Sequence, residues 1–129
     1  MSEALLKVPD AALEQARMML DRARWGATRF QKLDRSTTQR IVNAVAAAAH
    51  GKAQYYAEWA VRETGMGVVA HKRMKNEACS KGLAETYYGE NFVSPRIDEA
   101  KKIVELPRPA GVIFALIPVT NPVATVYFK

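Results

Sequence analysis

The sequence holds 129 residues, the length of one ordinary domain. Its 49% hydrophobic and 25% charged residues exclude a disordered tail, a collagen-like chain and a low-complexity linker. The net charge of +6 divides evenly, +3 in residues 1–64 and +3 in residues 65–129, so neither half is the basic arm of a nucleic-acid binder. The densest cluster, Lys72, Arg73 and Lys75, reads as a solvated helix face. A single cysteine, Cys79, excludes an internal disulfide and points to a reducing, cytoplasmic setting. Residues 1–9 include Glu3 and no long apolar core, so no signal peptide is expected there.

The first two-thirds read as helices. Asp10, after Pro9, is placed to cap a helix whose apolar stripe is Leu13, Ala16, Leu20 and Ala23, with Gly26 as its expected end. Asp34 or Ser36 caps a second helix with Ile41, Val45, Ala48 and Ala49 on its buried face; His50 and Gly51 stop it. A third carries Ala53, Tyr56, Ala57, Ala60 and Val61 and closes at Gly65. A fourth spans about residues 69–88, with Met74, Ala78 and Cys79 near one face. Gly89 and Asn91 end it.

The period then changes. Residues 101–107 read as a short strand around Ile103 and Val104. Gly111 to Ile117 is an apolar run rich in β-branched residues, the pattern of a parallel strand covered on both faces. The charge-free stretch 109–128 approaches the length of a membrane span, but Pro109, Gly111, Pro118, Asn121 and Pro122 interrupt it, so no membrane role is expected. Pro118 to Pro122 forms a turn, and Val123 opens a helix. This order is α/β, with helices leading into the first strand–turn–helix of a Rossmann-like domain.

Few residues bring chemistry. Cys79 lies inside a helix, away from the helix N-terminus or base that activates a thiol, and reads as structural. His50 and His71 lack metal-ligand spacing, so no metal is expected. Tyr55, Tyr56, Trp59, Tyr87 and Tyr88 read as core or subunit-contact residues. The turn after the strand is different, because ligands of open α/β sheets bind outside the carboxyl ends of strands. Its two prolines stiffen the backbone around Thr120 and Asn121. The Asn121 NH2 is a donor for a developing oxyanion; the plainer alternative is an Asn capping the next helix, with Pro122 at its first position.

The stretch Pro109 to Pro122, with its Pro118-Val119-Thr120-Asn121-Pro122 turn, resembles the opening strand and turn of the nucleotide-binding domain in the aldehyde dehydrogenase superfamily. A turn without tryptophan before the Asn resembles the CoA-acylating branch. Glu63-Thr64-Gly65-Met66-Gly67, followed by Lys72 and Lys75-Asn76, is similar to a second segment of that branch. Val126 to Lys129 resembles the helix after the turn. The resemblance implies oxidation of a small-molecule aldehyde with NAD or NADP as hydride acceptor and coenzyme A as co-substrate, through a cysteine nucleophile. It implies an oxyanion role for Asn121 and a dinucleotide-binding role for Ile117, Pro118, Val119 and Thr120. Cys79 does not match the family's nucleophile.

On this resemblance the sequence is expected to be the amino-terminal part of a longer enzyme that forms homo-oligomers. Residues 1–100 would be its helical part and residues 101–129 the start of its dinucleotide-binding domain. The 129 residues alone are expected to be inactive and poorly soluble, since the 111–117 strand lacks neighbours. The competing readings are a non-catalytic helical interaction module and a basic nucleic-acid binder.

Overall fold

The structure, a computed structural model, describes residues 9–129. The amino-terminal stretch read as lacking a signal sequence lies outside the described residues, apart from its last position. Six α-helices and a two-stranded sheet make up the described part: α1 (Asp10–Phe30), α2 (Arg35–Gly51), α3 (Ala53–Thr64), α4 (Val69–Glu77), α5 (Leu83–Thr86), β1 (Arg96–Asp98), β2 (Ile103–Glu105) and α6 (Ala124–Phe128). One turn of π-helix, Ala78–Gly82, joins α4 to α5. The architecture is mostly helical and compatible with an α/β class. The residues fall into two units, one formed by the chain up to Leu33 with Arg108–Phe114, the other by Asp34–Pro107 with Ala115–Lys129.

In the first unit, α1 starts after Pro9, and Asp10 sits in its first turn without making a side-chain cap bond. The helix does not stop at Gly26. A glycine inside a helix costs only about 1 kcal/mol relative to alanine, and the turns beyond it continue to Phe30, where the Gln31 N–H bonds the Ala27 carbonyl at 3.1 Å. No residue of α1 is buried. The stripe expected to face a core, including Leu13 and Leu20, is exposed.

The second unit holds the buried residues. Asp34 caps α2 by accepting from the Thr37 N–H at 2.7 Å and the Ser36 hydroxyl at 3.0 Å. These bonds, that from the Thr37 backbone first, hold its carboxyl below the usual carboxylate range. Ala53, Ala57 and Ala60 recur at spacings of four and three on α3 and are buried. Small side chains on that face let α4 approach closely. The buried face of α4 and of the π turn that continues it is polar: Lys72, Asn76 and Ser80, each four residues apart, are at most 6% exposed. The expected apolar face is not the one buried, since Met74 is exposed. Asn76 spans the seam by donating from Nδ2 to the Ala53 carbonyl at 3.0 Å. The Ser80 hydroxyl donates to the Asn76 carbonyl at 2.6 Å, at the start of the π turn.

β1 and β2 form an antiparallel hairpin in the register Arg96–Glu105, Ile97–Val104 and Asp98–Ile103. Its turn is held by Asp98, which accepts from Lys101 Nζ at 2.8 Å and the Lys101 N–H at 3.0 Å. The strand expected around Ile103 and Val104 is therefore present. The one expected at residues 111–117 is not: that run pairs with no other strand among the described residues. A parallel strand exists only against a neighbour, and the apolar composition of Gly111–Ile117 says that a neighbour is wanted without supplying it.

Candidate functional site

The site is assembled from two segments more than forty residues apart, both in the second unit. The first is the connection from α3 to α4. Gly65 ends α3 in the left-handed conformation, with φ of +66°, a region open to glycine at little cost. The Thr64 hydroxyl donates to the Ala60 carbonyl at 2.6 Å and accepts from the Met66 N–H at 3.1 Å, tying the turn to the helix it leaves. Gly67 is left-handed as well, at +82°. A Cβ there would lie 3.1 Å from Cε of Lys72. The second glycine thus leaves room for the Lys72 stem.

Lys72 uses that room to reach the second segment. Its ammonium donates to the Thr120 carbonyl at 2.9 Å. One helical turn further, Lys75 donates from Nζ to Oδ1 of Asn121 at 2.5 Å. The turn itself closes through the Asn121 N–H, which bonds the Pro118 carbonyl at 3.1 Å, while the Asn121 carbonyl accepts from the Thr125 N–H at 3.3 Å and leads into α6. Two lysines of one helix therefore grip consecutive residues of one turn. This corrects the reading of the Lys72–Arg73–Lys75 cluster as a solvated face. It holds for Arg73, which pairs with Glu77 along the helix surface at 2.7 Å, and for the exposed Lys75, although that lysine bonds the turn; it fails for Lys72, which is buried. The i, i+4, i+8 spacing of Lys72, Asn76 and Ser80 was the available clue to a polar buried stripe; hydrophobic periodicity alone passes over it.

The Asn121 side chain does not take the capping role. It makes no cap bond to α6, whose N-terminus has no side-chain cap. Its oxygen is taken by Lys75. An ammonium carries three donors and no acceptor, so the atom facing it must be the carboxamide oxygen. The NH2 then remains as the donor the residue can offer to something else. The neighbouring residues Ile117, Pro118, Val119 and Thr120 are all exposed, with Asn121 half-buried beside them. The turn is thus exposed, apolar and hydroxyl-bearing, with its backbone held by Lys72 and its Asn121 side chain by Lys75.

The second unit carries two further features. A concavity of about 960 Å³ opens between α2, the π turn and α6. Ile41, Val42, Val45, Leu83 and Val126 are among its mainly apolar lining residues, and Cys79 borders it half-buried with a free thiol. The face of α2 expected to be buried thus opens partly onto this groove. The Tyr127 hydroxyl is buried without a hydrogen-bond partner, and desolvation raises its pKa above the ordinary tyrosine value. Neither feature gathers the convergent polar groups that the turn does. Among the described residues no group of three or more His, Cys, Asp or Glu side chains could hold a metal ion, and no helix is long and apolar enough to cross a membrane.

The chain resembles the amino-terminal region of acylating aldehyde dehydrogenases, which are oxidoreductases. Sulfoacetaldehyde dehydrogenase (acylating) of Cupriavidus necator is 37% identical over 118 residues, a match covering 89% of this chain and 24% of that enzyme. Acetaldehyde dehydrogenase (acetylating) EutE of Salmonella typhimurium is 37% identical over 112 residues, covering 83% of this chain and 23% of the relative. The bifunctional aldehyde-alcohol dehydrogenase AdhE of Escherichia coli is 28% identical over 112 residues, 86% of this chain and 13% of its own. The chain thus spans a quarter or less of these relatives. No family model matches it, and no solved structure does.

Proposed function

We propose that this chain forms the amino-terminal part of an NAD(P)-dependent, CoA-acylating aldehyde dehydrogenase, with residues 101–129 opening a Rossmann-like dinucleotide-binding domain. The observation that carries the reading is the pair of bonds from Lys72 and Lys75 to Thr120 and Asn121. They join the two stretches in which the likeness to acylating enzymes is most specific. A shared motif explains each stretch separately; a shared site explains why they touch.

In this reading Ile117, Pro118, Val119 and Thr120 line the dinucleotide, which when bound supplies the hydride acceptor. Asn121 donates its NH2 to the aldehyde oxygen as negative charge builds there. A donor aimed at a developing oxyanion is worth about 2.7–4 kcal/mol of barrier in enzymes of this kind of chemistry. The nucleophilic cysteine is assigned to another segment, because Cys79 sits on the π turn beside the apolar groove. In this reading coenzyme A is the acyl acceptor, and the enzyme is a cytoplasmic homo-oligomer. Acetaldehyde and sulfoacetaldehyde, the aldehydes in the relatives' names, are the substrates to try first.

The test is NAD(P) reduction in the presence of aldehyde and coenzyme A. The longer enzyme carrying this segment is expected to turn over, and its Asn121→Ala variant to lose about 10²–10³-fold in kcat. The 129 residues alone are expected to give no turnover. Sustained reduction by the pure 129-residue chain, or an unchanged kcat in Asn121→Ala, overturns the reading.

A further inference from the structure

We propose that Lys75 is a positioning residue for the Asn121 carboxamide, fixing which end of the amide is presented to substrate and strengthening it as a donor. The inference rests on the oxyanion role proposed for Asn121 and assigns to that site a residue whose position in α4 gives no hint of it.

Three observations carry it. First, Lys75 Nζ lies 2.5 Å from Asn121 Oδ1. A free Asn amide flips between two nearly isosteric orientations, and only one presents the NH2. An ammonium beside it removes the choice, because the NH2 has nothing there to donate to. Second, the ammonium withdraws electron density through the oxygen it bonds. Hydrogen bonds chained through one amide strengthen one another, so the NH2 on the far side becomes the better donor as charge develops on its acceptor. Third, the lysine is placed by a rigid frame. Asn76, the next residue, is 2% exposed and bonded to the Ala53 carbonyl, and Lys72 holds the adjoining Thr120 carbonyl at 2.9 Å. The two lysines divide the work: Lys72, buried, fixes the backbone of the turn, and Lys75, exposed, fixes the side chain at its tip.

The exposure of Lys75 makes the assignment testable without disturbing the core. In the longer enzyme, acylating activity is measured with acetaldehyde or sulfoacetaldehyde, NAD(P) and coenzyme A for Lys75→Met, Lys75→Arg, Asn121→Ala and the Lys75→Met/Asn121→Ala pair. Lys75→Met is expected to lower kcat about 10–100-fold with KM for the dinucleotide within about twofold, the pattern of an interaction that matters in the transition state. Lys75→Arg, which also offers donors and no acceptor, is expected to restore most of the rate. In the Asn121→Ala background Lys75→Met should cost nothing more, since the lysine acts through that amide. An equal loss in both backgrounds overturns the proposal, because it means that the charge acts on the oxyanion directly. So does an unchanged Lys75→Met beside an impaired Asn121→Ala. Full activity in Asn121→Ala is a separate result that removes the oxyanion reading itself. In the 129-residue chain, Lys75→Met is expected to move the Asn121 side-chain amide resonances and leave in place those of Asn43, which lies on α2 and accepts from Gln39; unmoved Asn121 resonances count against the contact.

Discussion

The α3–α4 seam and helix α1 are both helical, both rich in alanine, and opposite in what they bury. The seam closes on Ala53, Ala57 and Ala60, with a stripe of Lys72, Asn76 and Ser80 on the facing helix. Helix α1, at 21 residues the longest of the described helices, buries none. Apolar periodicity is present in both, so periodicity did not decide which one packs. What distinguishes the seam is bonding that only a fixed partner satisfies: the Asn76 amide on the Ala53 carbonyl, and two lysines on one turn. A buried polar group without a partner costs about 1–3 kcal/mol, and a partnered one specifies a single arrangement. The polar contacts, more than the apolar ones, define this part of the molecule.

The comparison breaks most visibly if the seam is overfilled. Ala57 is fully buried on α3, where a larger side chain has no room without parting the helices. Ala57→Leu is expected to destabilise the chain by about 1–3 kcal/mol, read as a lower denaturant midpoint. The same variant should weaken the grip of Lys75 on Asn121, since α4 carries the lysine. A midpoint equal to wild type would mean that the seam is looser than its burial indicates.

The boundaries of most helices were legible in the sequence, as was the hairpin strand at Ile103–Glu105, because caps and glycines act locally. Asp34 caps α2 and Gly65 closes α3 where the sequence put them. The run through Gly26 was not legible: a glycine's helix penalty is small enough for neighbouring turns to override. The π turn after α4 gave no sequence sign. The unpaired run at residues 111–117 marks a further limit, since composition records a preference for burial but not the strand that provides it. At the site, Thr120 and Asn121 were singled out by turn chemistry and family likeness. The lysines that hold them lie 46 and 48 residues away, a pairing no local rule reaches. Lys72 and Lys75 were flagged by likeness alone, while charge patterning pointed to solvent.

A smaller effect is expected at the cap of α2, and its pH dependence identifies the cause. The carboxyl of Asp34 sits below its ordinary value because it accepts bonds from Thr37 and Ser36. A carboxylate favoured in the folded state stabilises it above the unfolded pKa, near 3.8, and loses that contribution as pH falls through the folded value. Asp34→Ala should therefore melt lower than wild type at pH 7. The gap should close progressively once the pH drops below about 4. A gap that is constant down to pH 2 would assign the loss to something other than the ionised cap.

The smallest effect is expected on α1, where it tests the other half of the comparison. Leu13 and Leu20 lie on the expected apolar stripe, yet they are 43% and 40% exposed. Replacing both with Gln keeps helix propensity nearly unchanged and removes apolar surface that already faces water. The melting of the 129-residue chain should then stay within about 0.5 kcal/mol of wild type, as for other exposed positions. Solubility should rise, because the exposed apolar stripe is smaller. The same substitutions on a packed face would each cost several times more. A loss above about 1 kcal/mol in the Leu13→Gln/Leu20→Gln chain would therefore mean that the stripe of α1 is buried in solution. The contrast with the seam would then be one of degree, with apolar packing holding both regions.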